Sequence, residues 1–157
     1  GGSATPTRLS FCSRSLHDIR VYFSSTAEPQ RADCNLADPQ WQITTYTITI
    51  GSGSNRIGSI AKGIRGTRHK VHVEDDPEVR CTASAAGVEG AIGIWERYWF
   101  EVVHQDGCAK VRCGRGPFGE SLMMEYIDPE PIRPIRFIGV GCWNESTTFC
   151  DLSAEKK

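Results

Sequence analysis

Trp99-Phe100-Glu101-Val102-Val103-His104-Gln105-Asp106-Gly107-Cys108-Ala109-Lys110-Val111-Arg112-Cys113-Gly114 reads as two strands folded about one tight turn. Asp106-Gly107 suits the two positive-φ positions of a two-residue hairpin turn. Folding there sets Gln105 opposite Cys108, His104 opposite Ala109, Val103 opposite Lys110, Val102 opposite Val111, Glu101 opposite Arg112 and Phe100 opposite Cys113. Strand side chains alternate, so one face holds Phe100, Val102, Ala109, Val111 and Cys113 and the other Trp99, Glu101, Val103, Lys110 and Arg112. The first face is apolar and the second carries an opposed Glu101–Arg112 ion pair, so the register is consistent on both sides.

The same two-residue period returns in Ile19-Arg20-Val21-Tyr22-Phe23, Tyr46-Thr47-Ile48-Thr49-Ile50 and His69-Lys70-Val71-His72-Val73. Turn-forming clusters bound each run, and no segment carries the 3.6-residue period of an amphipathic helix. Ile135 to Cys142 is apolar on both faces and reads as a central strand, with Gly139 and Gly141 leaving room for a neighbouring backbone or ring. Asp128-Pro129-Glu130-Pro131 is a stiff entry turn to it. Closely spaced strands without helical crossovers predict an all-β protein: an antiparallel β-sandwich, jelly-roll-like and disulfide-stabilised. A chain of 157 residues suits one domain, expected over residues 11–152 with tails at 1–10 and 153–157.

A net charge of -1 provides no field to steer nucleic acid. No stretch reaches the roughly 20 apolar residues of a membrane-spanning helix, so no membrane insertion is expected. The seven cysteines include no Cys-x-x-Cys pair, which disfavours zinc-ribbon and thioredoxin chemistry and favours disulfides. Cys108 and Cys113 lie on opposite faces of one strand and do not bond to each other. Cys113 faces inward, leaving Cys108 as the candidate intermolecular or free thiol. Cys142 and Cys150 flank a loop short enough for a bridge. Asn144 opens the glycosylation acceptor Asn144-Glu145-Ser146, and with the cysteines it points to a secreted protein.

Tyr46 to Gly51 with Asn55 and Ser59, Tyr98-Trp99-Phe100, Val111 to Pro117 with its Gly114-Arg115-Gly116, Tyr126-Ile127-Asp128-Pro129 and Phe137-Ile138-Gly139 occur in an order that resembles the farnesoic acid O-methyltransferase-like domain. The resemblance runs from about Ile19 to Asp151. Gly51-Ser52-Gly53-Ser54-Asn55 stands where the family commonly has Gly-Trp-Gly-Asn. The resemblance implies a sandwich-like extracellular module more strongly than it implies methyl transfer. A methyl-transfer enzyme normally needs a glycine-rich turn leading into a helix, and Arg56 to Arg68 carries no helical face.

No nucleophile elbow, zinc-protease helix or phosphate loop is present, so no catalytic residue, cofactor or metal site is expected. Glu74-Asp75-Asp76 lacks calcium-loop spacing. The cluster Lys62, Arg65, Arg68, His69, Lys70, His72 reads as an edge that resists sheet association, although it could meet anionic sugars. A sugar site needs aromatic plates beside planar or charged hydrogen-bonding groups. Trp95, Glu96, Arg97, Arg115, Glu120, Trp143 and Asn144 supply that mixture, and the tryptophans equally suit a core. The reading is a secreted lectin for glycans, of the terminal β-galactoside class, made multivalent as a homo-oligomeric dimer or tetramer. The alternatives are an extracellular interaction or structural module without sugar binding, and a methyltransferase acting on an isoprenoid acid.

Overall fold

The computed structural model describes residues 4–15, 18–27, 43–51, 57–63, 70–74, 95–142 and 147–156. Among the described residues there are ten strands and no helix: β1 (Thr5–Arg14), β2 (Ile19–Ser24), β3 (Thr45–Gly51), β4 (Ile57–Lys62), β5 (Lys70–Glu74), β6 (Glu96–Gln105), β7 (Cys108–Arg115), β8 (Leu122–Asp128), β9 (Phe137–Cys142) and β10 (Thr148–Lys156). They form two antiparallel sheets, ordered β10-β1-β6-β7-β8 and β5-β4-β3-β2-β9. Each sheet contains a run of sequence neighbours, β6 to β8 in one and β2 to β5 in the other. The last two strands return to flank the first two, β9 beside β2 and β10 beside β1.

The β6–β7 register is the one expected, from Gln105 opposite Cys108 to Phe100 opposite Cys113. Asp106 and Gly107 take φ values of 51° and 84°, the paired left-handed geometry of the tight turn. Phe100, Val102, Ala109, Val111 and Cys113 point into the sandwich, where Leu9, Phe11 and Met124 of the same sheet meet Val21, Phe23, Tyr46, Ile48, Ile50 and Ile60 of the other. Burial pushes the Cys113 thiol up to about 12, so it stays a neutral apolar filler. The ring expected over Gly139 and Gly141 is that of Tyr22, which would lie 3.5 Å from a Cβ at either position.

Several expectations need correction. The sheet reaches further than the domain bounds 11–152: Thr5 to Ser10 are part of β1, and β10 runs to Lys156. The alternation of Leu9 and Phe11 was the available signal, and both are core residues. Disulfide stabilisation is not shown: among the described residues Cys12, Cys108, Cys113, Cys142 and Cys150 form no bridge with one another, and Cys34 and Cys81 lie outside the described residues. Cys150 is not bridged to Cys142: it stands across from Cys12 on β1, whereas Cys142 stands across from Ile19 in the other sheet.

One end of the sandwich is closed by a polar network around buried Asp128. The Tyr46 hydroxyl donates to its Oδ2 at 2.5 Å and Lys62 Nζ donates to Oδ1 at 3.0 Å. Lys62 also donates to the Glu130 carbonyl, and the Ile132 amide donates to the Tyr46 oxygen. Lys62, expected in a solvated basic edge, is thus turned inward to neutralise Asp128. Burial first, and then the hydrogen bond to Asp128, hold the Tyr46 phenol above its ordinary pKa, so it remains a donor at any physiological pH. Tyr46→Phe leaves the Ile132 amide and one carboxylate oxygen without this partner. It is expected to cost about 2 kcal/mol in a urea titration, since an orphaned buried polar group loses its solvation without return. An unchanged midpoint would show that water replaces the hydroxyl.

Candidate functional site

Register decides which connections share an end of the sandwich. In one sheet Arg14 pairs with Thr148, Ser13 with Glu96, Tyr98 with Arg115 and Gly114 with Leu122. In the other, Ile19 pairs with both Ile50 and Cys142, and Gly58 pairs with Glu74. The short link from Arg14 to Ile19 puts the two sets at one end, and a 2.7 Å hydrogen bond between the Ser15 and Thr147 hydroxyls ties two of its connections. The strand ends joined by 15–18, 52–56, 75–95, 116–121 and 143–147 therefore converge there, opposite the Asp128 network.

Trp95, Glu96, Arg97, Arg115 and Glu120 all fall at this end, but strand alternation divides them. Trp95 and Arg97 belong to the outer face of the β10-β1-β6-β7-β8 sheet. Trp95 is 47% exposed, and the Arg14 guanidinium lies 5.2 Å from the centre of its ring. That separation is within cation–π range. Arg97 is also exposed, and its cross-strand partner on β1 is Cys12.

Glu96 and Arg115 share the opposite parity, that of the core-facing Tyr98, and lie at the rim. Arg115 Nε is 4.0 Å from Glu96 Oε1, and the guanidinium sits 5.6 Å over the Tyr98 ring. Both side chains are half-buried, so the rim pairs one cation with one anion in partial shelter from water.

Glu120 enters through its backbone. The turn 116–121 folds back over the outer face, held by the Gly116 amide donating to the Arg97 carbonyl and the Arg115 amide donating to the Ser121 carbonyl. Trp99 Nε1 donates to the Glu120 carbonyl at 2.6 Å, and Phe118 covers the indole with ring centres 5.0 Å apart. Trp99 is consequently buried although it points away from the sandwich core. The Glu120 residue itself is exposed at the lip of this turn. Beneath it, Arg8 Nε donates to Glu101 Oε1 at 2.8 Å and Arg112 Nε to Oε2 at 2.5 Å. The Glu101–Arg112 pair expected from the hairpin is therefore one half of an Arg–Glu–Arg triad.

Trp143, Asn144 and the glycosylation acceptor lie outside the described residues. Cys108 is half-buried beside the Asp106-Gly107 turn, at the opposite end. Sequence reading missed Arg14, which meets Trp95 only through the non-local pairing of β1 with β6. It also missed the apposition of Cys12 and Cys150, whose sulfurs lie with an Asp151 oxygen within 4.8 Å of one another.

The end as a whole offers a half-exposed indole, three guanidinium groups from Arg14, Arg97 and Arg115, and carboxylates from Glu96 and Glu120. That set can stack on an apolar ring face and hydrogen-bond hydroxyl or anionic groups. A family model described as farnesoic acid O-methyl transferase matches residues 2–151. No curated protein and no solved structure matches the chain.

Proposed function

Because the chain belongs to the farnesoic acid O-methyl transferase family, we propose that this member uses its sandwich to bind rather than to catalyse, and that its ligand is a glycan of the terminal β-galactoside class. The observation that carries the reading is the half-exposed Trp95 indole beside Arg14 and Arg97 at the end where the connections converge. A pyranose has one face of C–H groups, which packs on an indole, and a rim of hydroxyls, which guanidinium and carboxylate groups read by directional hydrogen bonds. Arg115 and Glu96 at the rim are the second contributors, with Glu120 on the adjoining turn. Trp143 and Asn144, which the sequence reading assigns to the same set, lie outside the described residues.

Methyl transfer is the rival suggested by the family description. It would need groups that hold the amino-acid and ribose parts of a methyl donor, usually a backbone cradle at a helix N-terminus. The exposed end described above is of a different kind, an aromatic plate with long charged side chains. We further propose secretion, on the seven cysteines and the Asn144 acceptor. Homo-oligomerisation is supported by the exposed Leu122 and Ile127 on the edge strand β8, a surface on which a second copy could pack.

A glycan array on the full chain tests the ligand class. Trp95→Ala and Arg97→Ala are each expected to lower affinity about tenfold or more, the loss of one stacking or charge-assisted contact. Both variants folding normally and keeping full affinity would remove this site. Saturable binding of S-adenosylmethionine, with no glycan retained on the array, would favour the enzyme instead.

A further inference from the structure

The outer face of β1 and β10 holds a second constellation, independent of the glycan reading. Cys12 and Cys150 are direct partners in the antiparallel β1–β10 pair, and both are half-buried. Opposed residues in such a pair hold their Cβ atoms about 4.5–5.5 Å apart, close to the about 3.5–4.5 Å spanned by a disulfide. The register of β1 with β10 slips between Ser10 and Cys12, and Asp151 at the slip has a left-handed φ of 53°. Regular alternation would send the Asp151 side chain to the other face. The irregularity brings it back instead, and its Oδ2 accepts from Cys150 Sγ at 3.9 Å.

The other described cysteines are placed elsewhere. Cys113 is sealed in the core, Cys108 sits at the far turn, and Cys142 belongs to the opposite sheet.

We propose that Cys12 and Cys150 are a bridging pair, which closes a disulfide between the first and last strands by exchange with a small-molecule disulfide such as oxidised glutathione. One of the two thiols loses its proton and attacks the donor, forming a mixed disulfide and expelling one glutathione thiolate. The second, also deprotonated, attacks the mixed disulfide and expels the other. Two S–H bonds are lost and one S–S bond is made, the S–S bond of the donor is broken, and the two protons pass to the expelled thiolates, so that the donor leaves as two thiols. The bridge anchors β10, which is an edge strand and largely exposed, to β1 in the sheet interior. It also fixes the β1 neighbour of Arg97.

The test is a disulfide map of the full chain after equilibration with oxidised and reduced glutathione, alkylation of remaining thiols and tryptic digestion. Peptide 9–14 is expected joined to peptide 137–156, with fragmentation placing the bond on Cys150 and not Cys142. Cys142→Ser should keep the cross-link and Cys150→Ser should lose it. In the wild-type chain, reductant should lower the midpoint of thermal unfolding, a shift that Cys150→Ser abolishes. Alkylation of both Cys12 and Cys150 after exchange would overturn the proposal, as would Cys12 joined to any other cysteine. So would thiols that resist oxidised glutathione and instead bind Cd²⁺ with a thiolate charge-transfer band, which would make the pair and Asp151 a metal site. None of these outcomes depends on whether a glycan binds.

Discussion

Gly114→Val is expected to lower the stability of the fold by about 3 kcal/mol, at the upper end of what overpacking a filled site costs. Gly114 stands directly opposite Trp99 on the outer face of the β6–β7 pair. A Cβ placed there would overlap Cε2, Cζ2 and Nε1 of the indole. The ring has little freedom to withdraw, because Phe118 packs on it, the Arg112 guanidinium lies 5.6 Å from its centre and its N–H is committed to the Glu120 carbonyl. A valine would therefore lift the indole and with it the 116–121 turn. Chemical denaturation followed by tryptophan fluorescence reads both effects. Gly116→Ala is the control: Gly116, unlike Gly114, has a positive φ, and nothing lies within 4 Å of its Cβ. It should show only the backbone cost of about 1 kcal/mol. Equal midpoints for the two variants would mean that the indole is looser than its contacts suggest.

Glu101→Ala should be nearly as damaging, about 3 kcal/mol, for an electrostatic reason. The Glu101 side chain is 1% exposed and joins two cations that are themselves only partly wet, Arg8 at 30% and Arg112 at 31%. Removing the carboxylate leaves two guanidinium groups facing one another beneath an aromatic turn, and breaking such a pair costs more than the intact pair contributes. The lower part of the usual range is expected because both arginines retain some water. A variant that also carries Arg8→Met and Arg112→Met should recover much of the loss. Urea titrations of the single and triple variants measure that coupling, and a triple variant less stable than the single would contradict it.

The two faces of the central hairpin were legible because alternation is a local property: once Asp106-Gly107 sets the turn, every facing pair follows. The space above Gly139 and Gly141 was legible for the same reason, although its occupant, Tyr22, comes from β2 and not from an adjoining stretch of sequence. Alternation does not say what covers a face. It set Trp99 outward but not that the 116–121 turn would seal it, an outcome Gly114 hints at by clearing the space its indole fills. For the candidate end, the residue types at Trp95 to Arg97 were readable and their division between face and rim follows from strand parity. Arg14, by contrast, reaches Trp95 through a pairing between the first strand and the sixth. The Cys12–Cys150 apposition depends on the last strand, whose exposed and irregular sequence carries little periodic signal.

The pairing of Thr7 with Lys156 has a practical corollary. Residues near both extremities of the described chain stand side by side, at the pole away from Trp95. Fixing the domain to a support through either extremity would leave the aromatic end facing the solution. A short peptide joining residue 156 to residue 5 would also have little distance to cover, so new ends could be opened at Asp106-Gly107 without parting any strand from its neighbour.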